Sequence, residues 1–193
     1  MALSETDTIP IPPITPGVAR ALSPLMRRIA CEDESTDAPG LNTYLVGIDE
    51  IVIVDPGPIE ESHIDVLVGC GGESVRWIVM TDTDPKYSES ALNLKEKTGA
   101  ELIAPVDFPG ADQTLGDGFK INATEFRMTA VALDKGKGQN FIFVLEQERT
   151  ILTGDHIDGS IPEDIKEKVK PYRIKSIAPG HGQFIEDARK MFS

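Results

Sequence analysis

Three short segments carry most of the residues in this chain that could do chemistry. They are Thr81-Asp82-Thr83-Asp84-Pro85-Lys86-Tyr87, Thr153-Gly154-Asp155-His156 and Pro179-Gly180-His181-Gly182. Each directly follows an apolar run, and the loops that follow strands are where a rigid scaffold presents reactive groups. Asp82 and Asp84 are two apart, so an extended segment would point both the same way. Taken alone, an aspartate after a strand also serves as a turn or helix cap, and that use stands beside the chemical one.

Other residues of reactive type read as structural. Asp55, ahead of Pro56-Gly57, fixes a turn. His156 either reaches the same place as Asp155 or sits at the surface, and His63, at a helix start, reads as a surface residue. Trp77 reads as core. Lys135-Gly136-Lys137-Gly138 is a turn and not a phosphate loop, because no Gly-Lys-Ser/Thr follows. Cys31 and Cys70 are too few for a disulfide framework and are not spaced as metal ligands, which suits reduced thiols in a cytoplasmic protein.

The elements that must position these loops alternate. Leu41 to Val46 and Ile51 to Val54 are apolar β runs joined by Gly47-Ile48-Asp49-Glu50, and Asp55-Pro56-Gly57-Pro58 stops the second. Glu60 to Val68 has helical spacing, closed by Gly69 to Gly72. Trp77 to Met80 is apolar at successive positions, as in a strand covered on both faces. Ser88 to Thr98 follows as a helix ended by Gly99, then a strand over Glu101 to Pro105. The second half adds strands over Glu125 to Leu133, Asn140 to Leu145 and Arg149 to Leu152, a helix over Pro162 to Val169, and a last strand over Ile174 to Ala178. Two strand-rich halves, each with helices, predict an α/β protein of two facing sheets with helices outside.

Composition bounds the rest. Nineteen Lys and Arg against 32 Asp and Glu give a net charge of −13 among 193 residues. That balance argues against nucleic acid as the partner, since such binders show a basic face. With 40% hydrophobic and 26% charged residues the chain is too apolar to be disordered. No run approaches the ~20 apolar residues a membrane helix needs, and the N-terminus lacks a basic-then-apolar leader pattern. The polar, proline-rich residues 1–13 read as an extended arm, and residues 14–193 as one domain.

Four segments in order, Asn42-Thr43-Tyr44-Leu45-Val46, Ile53-Val54-Asp55-Pro56-Gly57, Leu152-Thr153-Gly154-Asp155 and Ala178-Pro179-Gly180-His181-Gly182, resemble the metallo-β-lactamase superfamily. Ile14-Thr15-Pro16-Gly17-Val18-Ala19-Arg20 resembles the N-terminal strand of a soluble branch that holds bacterial hydrolases and RNA-cleaving relatives. The resemblance runs from Ile14 nearly to the end of the chain. It implies a four-layer αββα sandwich, with a metal site at the loop ends of the two sheets.

The departures from that pattern fall on the metal ligands. Active members carry Thr-His-x-His-x-Asp-His after the buried strand, and here the matching positions are Asp82, Asp84, Lys86 and Tyr87. A further histidine of the family matches Asp134, and two ligand positions survive, Asp155 and His181. Zinc favours imidazole and thiolate donors, so a set of one histidine and several carboxylates loses that preference. Lys86 puts an ammonium where the second metal would need a carboxylate, and Tyr87 could ligate only as a phenolate, against an ordinary pKa of about 10. A two-zinc centre is therefore not expected. Relatives also place a long excursion between the Gly-Asp and Pro-Gly-His-Gly motifs and a helical domain after them. Both are short here, which leaves the cleft open or covered by a second subunit.

Four carboxylates brought together repel and raise one another's pKa unless something compensates. A hard cation such as Mg²⁺, Mn²⁺ or Ca²⁺ bound by Asp82, Asp84, Asp134, Asp155 and His181 would do so. So would pairing with Lys86 and Lys135, or splaying into water. Two readings follow. In the first, the chain is a diverged member without the two-zinc hydrolase activity, its cleft reused for binding a small molecule or protein, or for assembly as a homodimer. In the second, it is a hydrolase of an ester, thioester or phosphoester with one oxygen-rich metal site, Lys86 or Tyr87 stabilising the developing negative charge.

Overall fold

The computed structural model describes residues 13–31, 40–133, 139–157 and 160–192, with the side chain of Lys86 outside that description. The expected arm over residues 1–13 thus lies, but for Pro13, outside the described residues. Among the described residues, twelve strands form two sheets. The first holds β1 (Arg20–Ala21), β2 (Met26–Ala30), β3 (Asn42–Val46), β4 (Ile51–Val54), β5 (Val75–Val79), β6 (Glu101–Ala104) and β7 (Gln113–Thr114), in sequence order across the sheet. The second runs β12-β11-β10-β9-β8, from β8 (Lys120–Asn122), β9 (Arg127–Ala132), β10 (Phe141–Leu145), β11 (Thr150–Gly154) and β12 (Ser176–Pro179). Three α-helices complete the described part, α1 (Glu61–Gly71), α2 (Pro85–Thr98) and α3 (Glu163–Val169).

Alternation along each strand builds the layers, because successive side chains leave a strand on opposite faces. Tyr44 and Val46 of β3, Val52 and Val54 of β4, and Phe141, Phe143 and Leu145 of β10 all enter the core between the sheets. Leu45, Ile51 and Ile53 face the other way, onto Ile64 and Leu67 of α1 and Ala91 and Leu94 of α2. On the second sheet, Ile142, Val144 and Ile151 meet Ile165 and Val169 of α3. This is the four-layer αββα sandwich expected from the sequence. The near-continuous apolar runs have the same cause, since both faces of each central strand are covered.

Two expectations are corrected. Residues 14–20 do not make the N-terminal strand. Thr15-Pro16-Gly17 turns, with Gly17 at φ 70° and the Val18 N–H on the Thr15 carbonyl, and only Arg20–Ala21 pairs with β2. The strand that enters the sheet is Met26–Ala30, which two arginines hide from an apolar reading. Arg28 is nonetheless 3% exposed and reaches the carbonyl of Gly182 at 3.4 Å. Helix α2 begins at Pro85, three residues ahead of Ser88, so Lys86 and Tyr87 lie in its first turn. Proline there is apt, since the first turn has no carbonyl for its missing N–H. Among the described residues no helix is long and apolar enough to cross a membrane.

Candidate functional site

β4 and β5 run parallel, as do β11 and β12, so the loops that leave their C-terminal ends rise on the same rim of the sandwich. Those loops carry Asp55, Asp82, Asp155 and His181. A backbone bolt across the sheets fixes the last of them. The Asn42 side chain donates to the carbonyls of Pro179 and Gly182, both at 2.9 Å, and the Tyr44 hydroxyl donates to Pro179 at 2.6 Å. The Asn42 N–H adds a bond to the Gly180 carbonyl at 2.7 Å. Tyr44 is buried, which raises its phenol pKa and keeps it a neutral donor.

The three carboxylates that face the rim are each occupied from within. Asp55 accepts the Thr81 N–H at 2.8 Å and the Thr81 hydroxyl at 2.9 Å. Asp82 accepts the Asp84 N–H at 2.8 Å, and its other oxygen lies 3.8 Å from His156 Nε2. His181 Nε2 lies 3.0 Å from the Asp155 carboxylate. His156 Nε2 also sits 3.3 Å from the Thr81 carbonyl. Asp55, at φ 51°, takes the left-handed conformation that aspartate tolerates better than most residues. Burial pushes its carboxyl up to about 7, and the neighbouring charges of Asp82 and Asp155 push the same way against the Thr81 donors.

Between these groups lies a cavity of about 20 Å³, lined by Asn42, Asp55, Thr81, Asp82, Tyr87 and Asp155. Such a volume holds about one water and no small molecule. Two close approaches keep it small. Gly154, at φ 52°, lies against the Thr81 side chain, and Gly180 lies against Asp155 and the Gly154 backbone. Asn42 spends its amide donors on the bolt and leaves Oδ1, buried in the cavity wall, with no partner among the described residues.

The loops singled out from the sequence meet on this rim, and the structure gives each of their described residues a place. Asp82 and Asp155 share the cavity, and His181 stands on Asp155. Asp84 does not extend beside Asp82, since its N–H turns back to cap the Asp82 carboxylate. Tyr87 is a cavity wall, 6% exposed and packed with the apolar layer under the helices. Asp134 lies outside the described residues, and Lys86 contributes only its place in the helix. His63, read as a surface residue, is 3% exposed, with Nε2 3.2 Å from the Thr43 hydroxyl, and burial lowers its pKa. Asn42 was missed as a site residue. A lone amide at a strand start carries no chemical signal of its own. Among the described residues, no three His, Cys, Asp or Glu side chains converge as ligands to one metal. The donors also misfit a two-zinc centre, because beside the carboxylates the rim offers only the imidazoles of His156 and His181 among the described residues.

No protein-family profile matches the chain. It is 26% identical over 191 residues to the lactamase-like protein adaB of Aspergillus niger, covering 91% of this chain and 60% of that protein. The chain thus spans only about three fifths of the length of that curated relative. Solved structures align over most of it. A metallo-beta-lactamase from Pontibacter korlensis superposes with a TM-score of 0.71 at 13% identity, over 91% of this chain and 94% of the other. The flavodiiron protein from Giardia intestinalis gives 0.70 at 11% identity, over 91% and 57%. A beta-lactamase domain protein from Burkholderia ambifaria gives 0.71 at 14%, over 96% and 73%. The chain has the metallo-β-lactamase fold, and its neighbours on that fold include both lactamase-type and diiron proteins.

Proposed function

We propose that this metallo-β-lactamase-fold protein has given up the two-zinc hydrolase site and works as a binding or assembly module. One observation carries the reading: the carboxylates facing the rim find their partners in Thr81, the Asp84 N–H, His156 and His181. A metal ion needs deprotonated ligands with lone pairs to give, and the bonds made here compete for those lone pairs. Here hydrogen bonds and imidazoles offset the like-charge repulsion that a metal would otherwise relieve. The cleft that remains is too small for a substrate, so binding would use other faces of the molecule.

The unpartnered Asn42 Oδ1 favours a second reading. An amide oxygen beside three carboxylates is a set of hard donors, suited to one Mg²⁺, Mn²⁺ or Ca²⁺ held chiefly by Asp82 and Asp155. Such an ion would supply Lewis-acid activation of a water, the chemistry of an ester, thioester or phosphoester hydrolase.

Elemental mass spectrometry of tag-free protein, with melting curves in chelator and in each of Mg²⁺, Mn²⁺, Ca²⁺ and Zn²⁺, separates the two. The first reading expects less than stoichiometric metal and a melting temperature indifferent to chelator and to every cation. A bound metal in stoichiometric amount, or a cation-specific rise in melting temperature abolished by Asp155→Asn, would overturn it in favour of the second.

A further inference from the structure

The opposite rim of the sandwich offers the room that the loop rim lacks. A cavity of about 630 Å³ opens there, within the size range of sites for small organic ligands. Its floor is Thr150 and Ser176, the first residues of β11 and β12, whose far ends lead to Asp155 and His181. The two hydroxyls bond each other at 2.7 Å and are both buried, which makes the floor rigid and polar. A cross-sheet clamp holds one wall. Glu148 accepts the Leu25 N–H at 3.0 Å and the Ser23 hydroxyl, tying the β10–β11 turn to the turn before β2.

We infer that this cavity binds an organic anion with an apolar body, a carboxylate or sulfonate on an aliphatic or aromatic frame. Leu22 and Phe184 supply the apolar wall, each half-buried and packed onto the core between the sheets. Arg149 and Lys175 supply the charge. Both line the cavity, and neither has a carboxylate partner among the described residues. The other charges of the lining are already placed. Asp187 and Arg189 neutralise each other through two bonds of 2.8 Å, and Glu148 is spent on the clamp. Glu186 is the remaining carboxylate of the lining, and it opposes the cationic pair. Arg149 sits at φ 54° in the β10–β11 turn, a left-handed position, and the Lys175 N–H bonds its carbonyl at 2.7 Å, so the two residues that line the cavity are tied through their backbones.

Fluorescence titration with 8-anilinonaphthalene-1-sulfonate tests the assignment, with decanoate and decanol as competitors and amide NMR shifts at Thr150 and Ser176 to locate the probe. The expected result is saturable one-to-one binding, displaced by decanoate at much lower concentration than by decanol. The Arg149→Asn/Lys175→Gln pair should weaken it about tenfold, as two exposed charges warrant. Asparagine keeps the left-handed turn, so the melting temperature should hold. Glu186→Gln should tighten binding, a change that a merely structural role would not produce. Absence of saturable binding, shifts confined to other parts of the chain, or affinities indifferent to all three charge changes would overturn the inference. This test is independent of the metal measurement, so either reading of the loop rim can fail without it.

Discussion

Replacing Gly180 with alanine is expected to lower the melting temperature by several degrees and to loosen the whole loop rim. A β-carbon there would lie 2.6 Å from the Gly154 carbonyl carbon and overlap the Asp155 carboxylate. The carboxylate could swing aside, but the Gly154 backbone could not. It is held by the bond from the Gly180 N–H to the Gly154 carbonyl at 2.9 Å and by the pairing of β11 with β12. Overpacking of this kind costs about 3 kcal/mol. At about 2–4 °C per kcal/mol for a chain of this size, the shift is roughly 6–12 °C. Urea denaturation reads the same quantity as a fall in midpoint at unchanged slope. A variant melting within a degree of the parent would mean that the two motif loops do not approach as closely as described.

Asp55→Asn is expected to do the reverse at neutral and alkaline pH. The carboxyl of Asp55 is raised to about 7 in the folded chain, from an unfolded value near 3.8. A raised folded value means that the native state holds the proton more tightly. The stabilisation from that proton is complete below about pH 4, declines as pH rises, and is gone above about pH 7. Asparagine is neutral at every pH, so the variant escapes the decline. It also preserves the local bonds, because Oδ1 can still accept the Thr81 N–H while the new amide donates to the Thr81 hydroxyl. The variant and parent should be similar near pH 4 and diverge upward. By pH 8 the variant leads by something on the order of 2–4 kcal/mol. Equal stability curves at pH 8 would show that Asp55 is ionised without penalty, in which case neither its burial nor Asp82 and Asp155 press on it.

The sheets were legible in the sequence wherever strands are covered on both faces. Ile51–Val54 and Phe141–Leu145 have no polar residue to hide them, and their alternate side chains divide cleanly between two apolar layers. Met26–Ala30 was not legible, because Arg27 and Arg28 look like a solvated stretch. Their guanidinium groups leave the sheet to reach carbonyls at Gly47, Cys70 and Gly182, partners far away in the chain. The same limit applies at the site. Spacing placed Asp82, Asp155 and His181 on neighbouring loops, and the Asp84 N–H on Asp82 is the local turn that aspartate favours, yet nothing local says that His156 approaches Asp82 or that His181 meets Asp155. Those are consequences of how two parallel pairs of strands set their loops side by side.

The bolt from Asn42 also orders events in time. Asn42 and Pro179 are 137 positions apart, and Arg28 and Gly182 are 154 apart. Closing a chain loop of that length costs about 2 kcal/mol more than closing one of ten residues. A few hydrogen bonds cannot repay that by themselves, so they form only after both sheets have drawn the ends of the chain together. Contacts so distant in sequence belong to the slow part of folding. In refolding followed by pulse-labelled hydrogen exchange, the Asn42 amide, which bonds the Gly180 carbonyl, should gain protection after those of β4 and β5. The first sheet would then exist for a time with Asp55 and Asp82 already in place and no Asp155 or His181 across from them. In that interval the acidic loops face water, unpaired across the rim, and the nascent chain offers its most open carboxylate cluster to any cation in solution.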